Sequence, residues 1–323
     1  MISHLSGRYL SPVDGVSFVC TVFNKAGYLP GVLDALARQV PDRPRQFIFI
    51  DDGSRDESAD IVARTIAGWS DAVLVRQANG GPTAATNAGI ALARHRYLKL
   101  LGSDDLLAPF CTRRLIEVAE STGADAVFSR QGYYRDPGDI EFVETSVAPE
   151  VPDDPLGTVI ARTISGTSQT LYRLAAIRAA AACDPGVFAE DFSLALRVAK
   201  RGRIALLDLV TAVGPDGDGD RLMVGRKHQT FHDYNLALAR FLEQSPELSP
   251  QLRRLALRRA AGRAAKWARR EGGQRLPLRY LALDAAARLG LPIDHARAIR
   301  ATLPAFALGP AASARPLVLP AVA

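Results

Sequence analysis

Four apolar runs in this sequence empty into polar residues that could do chemistry. The first ends Cys20-Thr21-Val22-Phe23-Asn24 and the second Ile50-Asp51-Asp52-Gly53-Ser54. The third is Leu101-Gly102-Ser103-Asp104-Asp105 and the fourth Phe188-Ala189-Glu190-Asp191-Phe192. An unpaired carboxylate is costly to bury, so paired acids directly after an apolar run need a partner. Aspartates so placed suit a hard divalent cation, whose oxygen shell phosphate groups and water complete. Asp51 and Asp52 also read as plain turn chemistry, and Asp105 as the cap of a helix near Pro109. Glu190 and Asp191 open a helical pattern, where acids gain ~0.3–1 kcal/mol from the helix dipole. The chemical alternative makes Asp191 the general base for an acceptor hydroxyl, with Glu190 orienting the acceptor.

The elements that must position these groups alternate. Short apolar runs at Val16 to Thr21, Phe47 to Asp51, Ala72 to Arg76, Tyr97 to Leu101 and Ala126 to Ser129 read as strands. Helical patterns lie between them, at about Tyr28 to Arg38, Glu57 to Ile66, Thr83 to Ala93 and Pro109 to Ser121. This order predicts an α/β fold with a mostly parallel sheet flanked by helices. Ser54 followed by Glu57 has the spacing of a capping box for the second helix. In such sheets ligands bind outside the carboxyl ends of the strands, so the loaded ends should converge on one crevice. Further on come an irregular stretch from Asp136 to Pro155, a helix around Asp184 to Arg201, a strand at Ile204 to Leu207 and a Gly/Asp-rich mobile loop from Gly214 to Asp220. The domain boundaries so expected are 1–232 for the catalytic unit, 233–303 for a basic helical appendage and 304–323 for a frayed Pro/Ala-rich tail.

With 323 residues, 48% of them hydrophobic, the chain can bury a sizeable core. Three widely spaced cysteines, Cys20, Cys111 and Cys183, argue against a disulfide framework or structural zinc and fit a reducing compartment. The first residues are too polar for a signal peptide and no apolar run is long enough to span a bilayer, so the expectation is a cytoplasmic protein.

Taken in order, TVFN, IDDGSRDES, NGGPTAATNAG, LGSDD and AEDFSLALR resemble the family 2 glycosyltransferases, over about Val16 to Val210. The resemblance implies a GT-A (Rossmann-like) fold with a C-terminal helical appendage. It also implies an inverting transfer from a nucleotide-diphosphate sugar, of the UDP type, aided by Mn²⁺ or Mg²⁺. By the same resemblance Thr21, Phe23, Asn24, Asp51 and Asp52 serve the nucleotide, Asp52 accepting from uracil. Asn79, Gly81, Asn87 and Gly89 match the loop and helix behind the phosphates, and Asp104, with Asp105, binds the metal. Two positions depart from the pattern: Gly102 replaces the first acid of the usual Asp-x-Asp, and Thr86 replaces a common Arg. The cation supporting the diphosphate is then Lys25 or one of Arg226, Lys227 and His228. The stretch from Asp220 to Gln229 reads either as a lid carrying His228 as a metal ligand or as a solvated basic loop.

Residues 251–303 hold 13 Lys/Arg against three acids, which leaves the rest of the chain net acidic. Leu252, Leu255, Ala256, Ala260, Ala264 and Trp267 fall at helical spacing, with Arg253, Arg254 and Arg258 off that face. The segment reads as a packed helical appendage or as a surface for anionic lipid headgroups or a phosphate-bearing acceptor. Nucleic acid is disfavoured, because aromatic residues do not interleave with the charges. The acceptor is expected to be a glycan or lipid-linked saccharide in cell-surface polysaccharide assembly. A non-catalytic sugar-nucleotide-binding scaffold and a nucleotidyltransferase are the alternatives.

Overall fold

The computed structural model describes residues 13–40, 42–216, 226–273, 275–314 and 317–318. Its strands are β1 (Val13–Val22), β2 (Arg45–Asp51), β3 (Ala72–Arg76), β4 (His95–Gly102), β5 (Leu106–Leu107), β6 (Ala126–Tyr134), β7 (Thr170–Arg173) and β8 (Ile204–Pro215). The helices of the first two thirds are α1 (Leu29–Ala37), α2 (Ser58–Ile66), α3 (Pro82–Leu92), α4 (Cys111–Thr122), α5 (Pro155–Arg162), α6 (Leu174–Ala179) and α7 (Glu190–Ala199). Five more follow: α8 (Lys227–Glu243), α9 (Pro250–Arg270), α10 (Leu278–Leu289), α11 (His295–Arg300) and α12 (Pro310–Ala314).

All eight strands form one sheet in the order β3-β2-β1-β4-β7-β6-β8-β5. β1 pairs in parallel with both β2 and β4, while β7 runs antiparallel to β4 and β6. The central strands are buried on both faces and read as nearly continuous apolar runs, as parallel strands under helices do. Alternation along β1 sorts its side chains between two cores. Phe18 and Cys20 pack with β2 Phe49, α1 and α4 on one face, and Val19 packs with α3 and α7 residues on the other. The second core also takes in Leu238 and Phe241 of α8, Leu257 of α9 and Ile299 of α11. The basic appendage therefore shares its hydrophobic centre with the sheet.

The α/β class and the five expected strands are present, and several boundaries differ. Ser54 does not cap α2: its hydroxyl accepts from Asn24 N (3.0 Å), and Asp56 accepts from Ser58 N instead (3.0 Å). The helix expected from Asp184 begins only at Glu190, because Asp184 accepts from Gly186 N (2.9 Å) and bends the chain at Pro185-Gly186. Gly214 and Pro215 complete β8 opposite Tyr133 and Tyr134, so the Gly/Asp loop starts later than expected and residues 217–220 lie outside the described residues. In α9 the expected inner face is buried at Ala256, Ala260, Ala264 and Trp267. The segment expected to fray holds Phe306 fully buried, 6.1 Å from the Trp267 ring.

Candidate active site

The carboxyl ends of β1, β2 and β4 lie side by side, with Thr21 in register with Ile50 and Gly102. The loop after β1 is fastened to the loop after β2. Asn24 accepts from Arg55 N (2.8 Å), Lys25 N donates to Ser58 Oγ (2.7 Å) and Ala26 N donates to Asp56 (3.0 Å). Asp52 fastens the second loop to the third: Oδ1 accepts from Gln77 Nε2 and Gly80 N, and Oδ2 from Gly81 N, each at 2.8 Å. Asn79 Nδ2 returns a bond to Asp52 O (2.9 Å). Asp51 is buried beneath this turn, accepting from Ser54 N (3.2 Å) with Arg76 Nε 3.3 Å away.

At the end of β4 the two aspartates part. Asp104 turns towards Lys25, whose Nζ is 2.9 Å from Oδ2, and both side chains are largely buried. Asp105 turns inward, accepting from Ser168 Oγ (2.6 Å) and Gln131 Nε2 (2.9 Å). Ser168 Oγ also receives Gly102 N (2.9 Å), and the buried ammonium of Lys99 donates to Ser168 O. A Cβ on Gly102 would sit 3.0 Å from Asp105 Oδ2 and 3.3 Å from Asp104 Oδ1. The carboxylates that follow thus occupy the space an acid at 102 would need.

The fourth acidic group is brought in by α3. Asn87 pairs with the backbone of Cys183 through both ends of its amide (3.1 and 3.0 Å), and Thr83 donates to Val187 O. A Cβ on Gly89 would lie 2.2 Å from Val19 Cγ1, so glycine permits α3 to rest on β1. The clamped loop delivers Glu190 and Asp191 at the first turn of α7. Burial, then the neighbouring Asp191 and Asp233 charges, push Glu190 up to about 8. Burial also raises Asp191, opposed by hydrogen bonds from Phe192 N and Gly166 N.

These groups surround one cleft of about 1010 Å³. Thr21, Phe23, Asn24, Asp52, Asn79 and Gly81 lie on its wall, as do Lys25, Asp104, Glu190 and Arg226. Phe23 on this wall is 37% exposed.

A family profile described as "Glycosyl transferase family 2" matches residues 17–171, from within β1 to within β7. This segment is a family 2 glycosyltransferase domain. The succinoglycan biosynthesis protein ExoO of Rhizobium meliloti is 34% identical over 116 residues, 36% of this chain and 32% of its own. The chain thus spans about a third of the length of the curated relatives it matches. Among solved structures, S. aureus TarS 1-349 superposes with a TM-score of 0.61 at 18% identity, covering 90% of this chain and 91% of that one. It is also known in complex with UDP-GlcNAc. The mannosyltransferase PcManGT from Pyrobaculum calidifontis, solved with GDP-Man and Mn²⁺, superposes at 0.55 and 17% identity over 92% of this chain and 88% of its own. These likenesses establish the GT-A fold.

The expected site residues divide between the cleft wall and the interior. Asp51 and Asp105 are buried and hydrogen-bonded to the protein, and neither they nor Asp191 and His228 lie on the cleft wall. Asn87, Gly89 and the buried Thr86 sit within packing rather than facing the cleft. His228 is fully buried at the start of α8, and neither ring nitrogen has a hydrogen-bond partner among the described residues. Residues 221–225 of the expected lid lie outside the described residues, whereas Arg226 reaches the cleft. Sequence reasoning missed Ser168 and Gln131, which hold Asp105 from β7's approach and from β6. The small polar run Gly166-Thr167-Ser168-Gln169 ahead of an apolar strand was the available signal.

Proposed function

We propose that this chain moves a sugar from a nucleoside diphosphate sugar, of the UDP type, to a hydroxyl of a glycan or lipid-linked saccharide, with inversion, in cell-surface polysaccharide assembly. The observation that carries the reading is the single cleft onto which Asp52's loop, Asp104 and Glu190 converge. The relative named for succinoglycan biosynthesis supports the setting, and the TarS complex with UDP-GlcNAc supports the donor type.

Thr21, Phe23 and Asn24 wall the end of the cleft suited to a base, while Lys25 and Arg226 bring positive charge to the same cleft for a diphosphate. A divalent cation fits this donor set with one carboxylate, Asp104, and phosphate oxygens supplying the remainder. Among the described residues no three acids, histidines or cysteines come together as a metal cluster. His228, the other expected ligand, is fully buried and off the cleft wall, so the metal is assigned to Asp104 alone. Mn²⁺ or Mg²⁺ bound there would act as a Lewis acid for the departing diphosphate. The acceptor oxygen attacks the anomeric carbon as the bond to the diphosphate breaks, and the hydroxyl proton passes to the Glu190–Asp191 pair. Glu190 is the member on the cleft wall, and Asp191 is anchored by backbone donors.

A carboxyl raised to about 8 is a base only above that pH, so transfer should increase as pH rises through about 8. Glu190→Gln and Asp191→Asn separate the two members by their pH profiles. The variant that removes the proton acceptor loses about 10²–10⁴ in kcat together with the limb near pH 8. Full activity and an unchanged profile in both variants would refute the assignment.

A further inference from the structure

An exposed apolar surface lies far along the chain from the catalytic motifs, on α10. At 3.6 residues per turn, Leu278, Leu281, Ala282, Ala285 and Leu289 fall within about a 100° arc. All five are exposed, Leu278 at 68% and Leu289 at 76%. Tyr280 and Ala287, on the opposite side, are the residues that α10 buries. Leu276 and Leu291 extend the patch past both ends, at 70% and 46% exposure. Three exposed leucines on one short helix and two more just past its ends exceed the scattered apolar residues of an ordinary soluble surface.

The rim of this patch is cationic. Arg279 and Arg288 flank the arc on either side, and Arg254 lies 3.5 Å from the position a Cβ would take on Gly290, at the helix end. Asp284, the one acid of α10, is held by Arg288 at 2.6 Å and approached by Arg258 at 3.8 Å. Beside Leu281 a cleft of about 350 Å³ opens between α9 and α10, with Arg258, Arg259 and Arg288 in its walls and Tyr280 and Leu255 beneath. An apolar face with a cationic rim and a cationic cleft at its edge matches a surface that is apolar inside and anionic at its boundary.

We propose that the leucine face of α10 docks this protein on an anionic lipid bilayer, Leu278, Leu281 and Leu289 entering the headgroup boundary and the arginines meeting lipid phosphates. The sequence placed the basic surface on residues 251–303 as a whole; the structure buries one face of α9 and leaves α10 to make the apolar contact. The inference is independent of the transfer reading, because its readout is membrane partition and not turnover.

The test is co-sedimentation of the full chain with phosphatidylcholine vesicles, with and without phosphatidylglycerol. The wild type should partition at least about tenfold more onto vesicles containing phosphatidylglycerol, and high salt should weaken it. Leu278→Ser combined with Leu289→Ser should lose at least about tenfold of that partition with an unchanged melting temperature, since both residues are exposed. Equal partition of wild type and variant, or no partition of the wild type, overturns the proposal. So does a wild-type dimer that the variant dissociates without any effect on vesicles, which would assign the face to a second copy.

Discussion

Gly102 illustrates how one residue type can mislead at the residue scale. As a letter in a motif it is a missing acid; in space it is the gap that Asp104 and Asp105 leave, 3.3 and 3.0 Å from where its Cβ would be. Gly102→Asp should therefore not restore a stronger metal site. It adds a third carboxylate to a filled space and should cost about 1–3 kcal/mol in a chemical melt, as overpacking does. Donor affinity in the presence of Mn²⁺ should fall or stay level. A variant that binds donor more tightly with no loss of stability would show that the space is open. Asp52's place on the cleft was legible from its position after an apolar run, and Asn79's came from the resemblance alone. The places of Gly89 and Asn87 were not legible, because the same small residues serve a phosphate loop and a close helix-to-strand contact, and only the distance to Val19 or Cys183 decides between them.

Among elements, the turn leading into α7 controls where the acidic pair sits. Asp184 is fixed by Arg240 Nε (3.0 Å), Arg240 Nη2 (2.8 Å) and Gln244 Nε2 (2.9 Å), tying this turn to α8. Burial alone would raise the Asp184 carboxyl, but these donors and Gly186 N outweigh it and hold the pKa below its usual value. A lowered folded-state pKa means the contribution to stability is present above the unfolded value of about 3.9 and is lost as pH falls through the folded one. Arg240→Ala should cost about 3 kcal/mol, since it leaves a buried carboxylate without its ion-pair partner. The difference from wild type should shrink in melts taken below about pH 3.9. A difference that does not change with pH would assign the loss to packing. Strands β1, β2, β4 and β6 could be read from apolar runs because each is buried on its own pattern. β5 has two residues and β7 four, too few to show a period, and their places depend on β8 and β4 partners distant in sequence.

Across the whole molecule, the shared core decides what can be separated. Leu238, Leu242, Leu257 and Ile299 are each at most 1% exposed and belong to the same cluster as Phe192 and Leu98. Removing α8 to α11 would expose several large side chains, each worth about 1.5–3 kcal/mol, against a typical total stability of 5–15 kcal/mol. The full chain should unfold in one transition by circular dichroism, and residues 1–226 alone should show none. A cooperative melt of the shorter piece would mean that the appendage is an independent body. The sequence showed the basic charge of residues 251–303 and the inner face of α9; it did not show that this face closes the catalytic core, because composition does not say which apolar surfaces meet. Metal-assisted sugar transfer in the cleft is tested most directly by a panel of nucleotide sugars assayed for nucleoside diphosphate release with and without Mn²⁺ or Mg²⁺. Turnover of a UDP sugar that requires the metal and falls at least about 100-fold in Asp104→Ala is the expected result. Metal-independent turnover that survives Asp104→Ala, or tight UDP binding with no turnover of any donor, would contradict it.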